Sequence, residues 1–194
     1  MTPSRYTPLK SVCLGLLILA GSILTGGCVP AVSLLAIDVV RDEREPRAYW
    51  QDNKAEMDIR FSIYRNKTIS DTNVSVTIWN AVVLLTGEVP DQQAIDRILD
   101  IAKSHHYTRQ VVNRIELAGR TNMASRVNDS WLTGRVKTAL VVSGTVDPTR
   151  FKVVTERANV YLMGLVTSAE ATEAVLIVRS VPGVVRVIKV FEYL

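Results

Sequence analysis

The chain has 194 residues, a formal net charge of +4, 47% hydrophobic residues and 22% charged ones. That is ordinary globular composition and room for one or two domains. The charge is too weak for a nucleic-acid protein, and two cysteines, Cys13 and Cys28, leave no basis for a disulfide framework.

The N-terminus differs from the rest. Arg5 and Lys10 precede an uncharged apolar run from Val12 to Leu24, and Gly26 and Gly27 lead into Cys28. A basic start, an apolar middle and small residues at the end read as a secretory signal peptide over residues 1–27. The run falls short of the ~20 apolar residues that a membrane span needs. Loss of Arg5 and Lys10 with the leader takes the formal charge from +4 to +2. Thr25-Gly26-Gly27-Cys28 resembles a bacterial lipobox, with Thr25 where Leu is usual. The resemblance implies lipidation of Cys28, and three acyl chains anchor far better than one. Val29, rather than Asp, follows the Cys, which in enterobacterial-type sorting implies the outer membrane. Residues 28–50 read as the acylated N-terminus and a tether, with Arg41 to Arg47 and Pro46 as a solvated stalk.

The remainder reads as a sequence written twice. With an offset of 77, Asp52 meets Asp129, Ile59 meets Val136, Ile63 meets Leu140 and Gly87 meets Gly164; near the end the offset is 76, and Val111 meets Val187. Each copy begins with a helix, about 53–66 and about 129–143. Two strands follow, about 72–79 with 82–88 and about 150–156 with 159–165. Asn80-Ala81 and Arg157-Ala158 are short enough for hairpin turns. Gly87 and Gly164, near the ends of the second strands, read as structural glycines, marking a bulge or the close approach of another backbone. A second helix comes next, about 91–104 and about 168–180, with Asp91 and Ser168 as N-caps. Ala94, Ile95, Ile98, Ile101 and Ala102 have helical spacing. A last strand ends each copy, about 109–117 and about 184–193.

The expected fold class is therefore α+β, two tandem αββαβ units. Each is a three-stranded mixed sheet with both helices on one face, the economical way to bury these stripes. Units of 65–70 residues are marginal alone, so the two copies are expected to pack together. The charge is uneven: residues 51–120 balance at nine basic and nine acidic, whereas residues 121–194 hold nine basic and six acidic.

Two αββαβ repeats behind a lipoprotein-type leader resemble the BON-domain family, and within it the dual-BON outer-membrane lipoproteins of the DolP type. The likeness is strongest over Asn128 to Thr133 and Val153 to Thr167. It implies domains at 51–119 and 120–194 and a non-enzymatic protein on the periplasmic face. It also implies binding of anionic phospholipid such as phosphatidylglycerol or cardiolipin, and support of outer-membrane integrity.

On the first helix of the second copy, Leu132, Val136, Ala139 and Leu140 form the core stripe. Trp131, Arg135, Thr138 and Val142 lie on a flank that suits a membrane–water interface, the indole at headgroup depth and the guanidinium at phosphate. The candidate lipid-binding set is Trp131, Leu132, Arg135, Thr138 and Val142. Lys137, Arg150 and the N–H groups of the helix start would add positive potential. The corresponding positions of the first copy are read as Lys54, Asp58, Ser62 and Arg65, without the aromatic anchor. Trp131 is also open to a packing role.

Met57, Phe61 and Tyr64 sit away from the first copy's core stripe and read as a contact with the other repeat or with an envelope protein partner. A protein–protein adaptor using these residues, or an open sheet face, is the rival to lipid binding. His105-His106 reads as a surface loop. No motif calls for a cofactor or metal, and no catalytic constellation is found.

Overall fold

A computed structural model of the chain describes residues 46–70, 72–119 and 123–194. The expected leader, the expected lipidation site Cys28 and the stretch read as a stalk up to residue 45 lie outside the described residues. The elements run α1 (Pro46–Arg65), β1 (Asn73–Trp79), β2 (Val82–Val89), α2 (Gln92–Ser104), β3 (Gln110–Leu117), α3 (Met123–Ser143), a 3₁₀ turn (Pro148–Arg150), β4 (Lys152–Glu156), β5 (Asn159–Val166), α4 (Ser168–Arg179) and β6 (Arg186–Tyr193). The αββαβ order thus occurs twice.

In each sheet the second strand is central, antiparallel to the first and parallel to the third. Val83 faces Val111 across one parallel pair and Val160 faces Val187 across the other. The one-residue change of offset between the copies therefore falls before the last strand.

Three apolar clusters divide the interior. Ala55, Ile59 and Ile63 of α1 and Ala94, Ile98 and Ala102 of α2 close over Val76, Ile78, Val83 and Leu85. Leu132, Val136 and Leu140 of α3 and Ala171, Ala174 and Val178 of α4 close over Val153, Val160 and Leu162. The third cluster, Trp79, Val82, Leu84, Tyr161 and Met163, joins the opposite faces of the two sheets. β2 is buried along its whole length, because one face meets helices and the other meets the second sheet. The layers are therefore helix, sheet, sheet, helix, and among the described residues no sheet face is left open for a partner.

Both hairpins use two residues at positive φ, Asn80 and Ala81 at 50° and 62°, Arg157 and Ala158 at 50° and 60°, the geometry that matches strand twist. Each turn is held by a buried carboxylate from the preceding helix. Asp52 accepts the N–H groups of Asn80 and Ala81 at 2.8 and 3.0 Å, and Asp129 accepts those of Arg157 and Ala158, both at 2.8 Å. Gly87 and Gly164 sit where the strand before them enters the sheet. A Cβ would lie 1.8 Å from the Asn73 carbonyl oxygen at the first and 2.4 Å from that of Arg150 at the second.

Three boundaries differ from the sequence expectation. α1 begins at Pro46, inside the stretch read as a stalk, since Pro is favoured at the first helical position. α3 begins at Met123, two turns before Asp129, so its N–H groups do not lie beside Trp131. α4 is capped by Thr167, whose side chain and Glu170 form a capping box, rather than by Ser168.

Candidate membrane-facing surface

α3 is positioned by Leu132, Val136 and Leu140, at spacings of four and each no more than 1% exposed, and by Asp129, which ties its inner face to the β4–β5 turn. Gly144 follows the helix at φ 64°, a left-handed stop that glycine adopts without strain. The opposite side of the helix faces out. Trp131 is 60% exposed and Val142 77%, and neither is sealed against the other repeat. The Arg135 guanidinium stands 4.7 Å from the Trp131 ring centroid, within cation–π range. One of its nitrogens, Nη1, donates to the Pro182 carbonyl at 3.0 Å. The side chain is thus held between its own helix and the turn before β6. Thr138 is exposed, its hydroxyl donating to the Gly134 carbonyl at 3.0 Å.

The helix brings together Trp131, Arg135, Thr138 and Val142, but not Leu132. Leu132 is 1% exposed and packs beneath Gly183; its periodicity belongs to the core stripe, so it is withdrawn from the surface set. Arg150 is withdrawn too, because its guanidinium is 3.3 Å from the Glu170 carboxylate. Val127 and Val141, 63% and 61% exposed, join the stripe; sequence reasoning missed them, although the spacing 127, 131, 138, 142 runs along one helix face. Between Val127 and Val142 the sole acid is Asp129, and it is turned inward.

The first copy is a close control. Leu132, Val136 and Leu140 correspond to Ala55, Ile59 and Ile63, so the counterpart of Thr138 is Phe61, not Ser62. The correction matters: α1 also carries an exposed apolar stripe. Trp50, Met57, Phe61 and Tyr64 are 63%, 69%, 57% and 86% exposed, more than residues packed between the repeats would be. Where Arg135 reaches toward Pro182, its counterpart Asp58 reaches His105 at 3.7 Å and Lys54 at 3.9 Å. His105 is mostly buried in that contact, whereas His106 is exposed. Among the described residues no group of three His, Cys, Asp or Glu side chains is placed to hold a metal ion, and no helix is long and apolar enough to cross a membrane.

A second cluster of charge lies along the seam between the sheets. Glu88 is fully buried, accepts from Asn73 at 3.0 Å and stands 3.8 Å from Arg157. Burial, then the negative charges of Glu88 and Asp129, push the Glu156 carboxyl up to about 7. Burial likewise raises the Tyr161 hydroxyl.

Comparison with known proteins agrees with this architecture. The BON domain family model matches residues 51–119 and 128–194. The chain is 32% identical over 192 residues to the outer membrane lipoprotein DolP of Haemophilus influenzae, covering 97% of this chain and 98% of that one. It is 28% identical over 153 residues to a 21 kDa hemolysin of Actinobacillus pleuropneumoniae, covering 78% and 79%. Among solved structures, CdsD, a structural protein of the type III secretion system of Chlamydia trachomatis, is 12% identical, covers 71% of this chain and 91% of its own, and has a TM-score of 0.30, a likeness too slight to carry an argument.

Proposed function

This chain belongs to the BON-domain family, and from that premise we propose that it is an outer-membrane lipoprotein of the periplasmic face whose second domain binds anionic phospholipid. Acyl chains on Cys28 hold it to the membrane, and α3 seats the second domain on the same leaflet. The work is binding, not catalysis: the seated protein supports the integrity of the outer membrane. The observation that carries this reading is the exposed Trp131 with Arg135 stacked 4.7 Å from its ring, on a helix face with no outward acid.

The physics is that of an interfacial anchor. Trp131 offers a large apolar body and one N–H donor, suited to headgroup depth. Val127 and Val142 add aliphatic area beside it. Arg135 uses one of its five N–H donors on Pro182, leaving others for phosphate oxygens. A basic side chain near an anionic surface contributes only about 1 kcal/mol. That is enough when the chain is already tethered, because the second contact is then intramolecular. Phosphatidylglycerol and cardiolipin are the expected ligands.

Co-sedimentation with vesicles tests the reading. Phosphatidylglycerol vesicles should bind the protein lacking its acyl chains and phosphatidylcholine vesicles should not. Trp131→Glu and Arg135→Glu should each weaken binding by about tenfold or more, the scale of 1–2 kcal/mol. Equal binding to both lipids, or binding indifferent to both substitutions, would overturn it.

A further inference from the structure

We propose that the outward face of α1 is a docking surface for an amphipathic helix of another envelope protein, one whose apolar face is flanked by carboxylates. The layer order sets the geometry. α1 covers the outer face of the first sheet and α3 covers the outer face of the second, with the sheets back to back between them. The two exposed stripes therefore point in opposite directions. When α3 lies on the bilayer, α1 faces away from it. This step rests on the lipid reading of α3.

The α1 stripe has the composition of a protein-binding ridge. Trp50, Met57, Phe61 and Tyr64 fall along one line of the helix, at intervals of seven, four and three, and all are more than half exposed. Aromatic residues and Met are the types enriched at the centre of interfaces. Residues 50 to 64 make a straight ridge of about 21 Å at ~1.5 Å per residue, a length that a helix of four turns matches. The rim is basic. Arg47, Lys54, Arg60 and Arg65 are exposed, and Arg65 lies 5.2 Å from the Phe61 ring centroid. Of the three acids on α1, Asp52 is buried on the β1–β2 turn. Glu56 accepts from the Ile78 N–H and from Lys152, at 3.2 and 3.3 Å, and from Arg60 at 3.5 Å, so Arg47 and Arg65 carry most of the rim's positive charge. Only Asp58 stands well exposed. Carboxylates on the partner's flanks complement that rim, as they do in paired helices. A second copy does not fit: antiparallel pairing about Met57 would set Lys54 against Arg60 and Asp58 against Glu56, like against like.

The test uses the full acylated chain in nanodiscs containing phosphatidylglycerol. Two fluorescent probe peptides share one leucine-faced amphipathic helix, flanked by glutamates in one and by lysines in the other. Once binding to the same discs without the protein is subtracted, the glutamate-flanked helix should bind at least tenfold more tightly. Phe61→Ser and Tyr64→Ser should each weaken it about tenfold, and Trp131→Ser should leave peptide affinity unchanged. Equal affinity for both peptides, or affinity indifferent to Phe61→Ser and Tyr64→Ser, overturns the proposal. So does a spin label at Met57→Cys that reports bilayer depth, which makes lipid the occupant, or a dimer dissolved by Phe61→Ser, which makes it a second copy. Failure of the lipid reading looks different: the disc no longer responds to Trp131→Ser, while the peptide result still decides α1.

Discussion

The Asn80 side-chain amide donates to Glu192 at 2.8 Å across the seam between the repeats. The same contact is made in reverse by Arg157, which donates to Glu116 at 2.6 Å. Asn80 and Arg157 are the same turn position in the two copies, and Glu116 and Glu192 the same position in the last strands. The sheets thus meet nearly two-fold, like an isologous dimer built into one chain. Arg109 also pairs with Glu192, so the seam is apolar at its centre and charged at both ends.

Removing seam packing should cost far more than removing an end contact. Leu84 is fully buried against the second sheet, and Leu84→Ala should cost about 2–4 kcal/mol by leaving a cavity. It should lower the midpoint of one shared urea transition, because each repeat alone is marginal and the two unfold together. Glu192→Ala should cost about 1 kcal/mol, as rim pairs do, and leave a single transition.

The turn clamps make a second test. Asp52 satisfies two backbone N–H groups and accepts from the Tyr107 hydroxyl at 3.0 Å. Asp52→Ala should cost about 2–4 kcal/mol, as several buried donors lose their acceptor together. Ala81→Gly should instead stabilise by a few tenths of a kcal/mol. It relieves the left-handed Ala at φ 62°, and the added freedom of the unfolded chain offsets part of the gain.

The two glycines predict a graded pair. Gly87 combines φ 115° with a Cβ position 1.8 Å from a backbone oxygen, whereas Gly164 faces only the second obstacle, at 2.4 Å. Chemical denaturation should show Gly87→Ala the more damaging, at about 3 kcal/mol or more, and Gly164→Ala less.

Glu156 links stability to pH. Its carboxyl sits at about 7 rather than the ordinary 4.5, so the folded protein holds that proton more tightly than the unfolded chain. The resulting stability is complete below pH 4.5 and fades as pH rises through 7. The side chain is only partly buried, and screening limits the effect to on the order of 1 kcal/mol. Glu156→Gln should flatten the decline between pH 5 and 8 and raise the melting temperature at pH 8.

Much of this fold was legible in the sequence because the apolar spacing of both repeats is strong and each copy checks the other. Helix starts were less so. Asp129 stands where the sequence places the start of the helix, but its carboxylate serves a turn 28 residues further on, which no local pattern reveals. Pro46 among charges read as a stalk although Pro also opens helices. The sheet face away from the helices reads as open in the sequence, because a local pattern does not say what covers it; the second sheet does. At the surface, Trp131 and Arg135 could be placed on one flank, yet whether the indole was exposed depended on where the other repeat packs. Met57, Phe61 and Tyr64 were legible as lying off the core, but pairing Thr138 with Ser62 rather than Phe61 hid their match to the α3 stripe.

The most direct measurement is quenching of tryptophan fluorescence by brominated phosphatidylglycerol in vesicles. The account predicts that part of the emission is quenched on binding, that this part disappears in Trp131→Phe, and that Trp50→Phe leaves it intact. Quenching that survives in Trp131→Phe and is lost in Trp50→Phe would place the bilayer against the other face of the molecule and contradict the account.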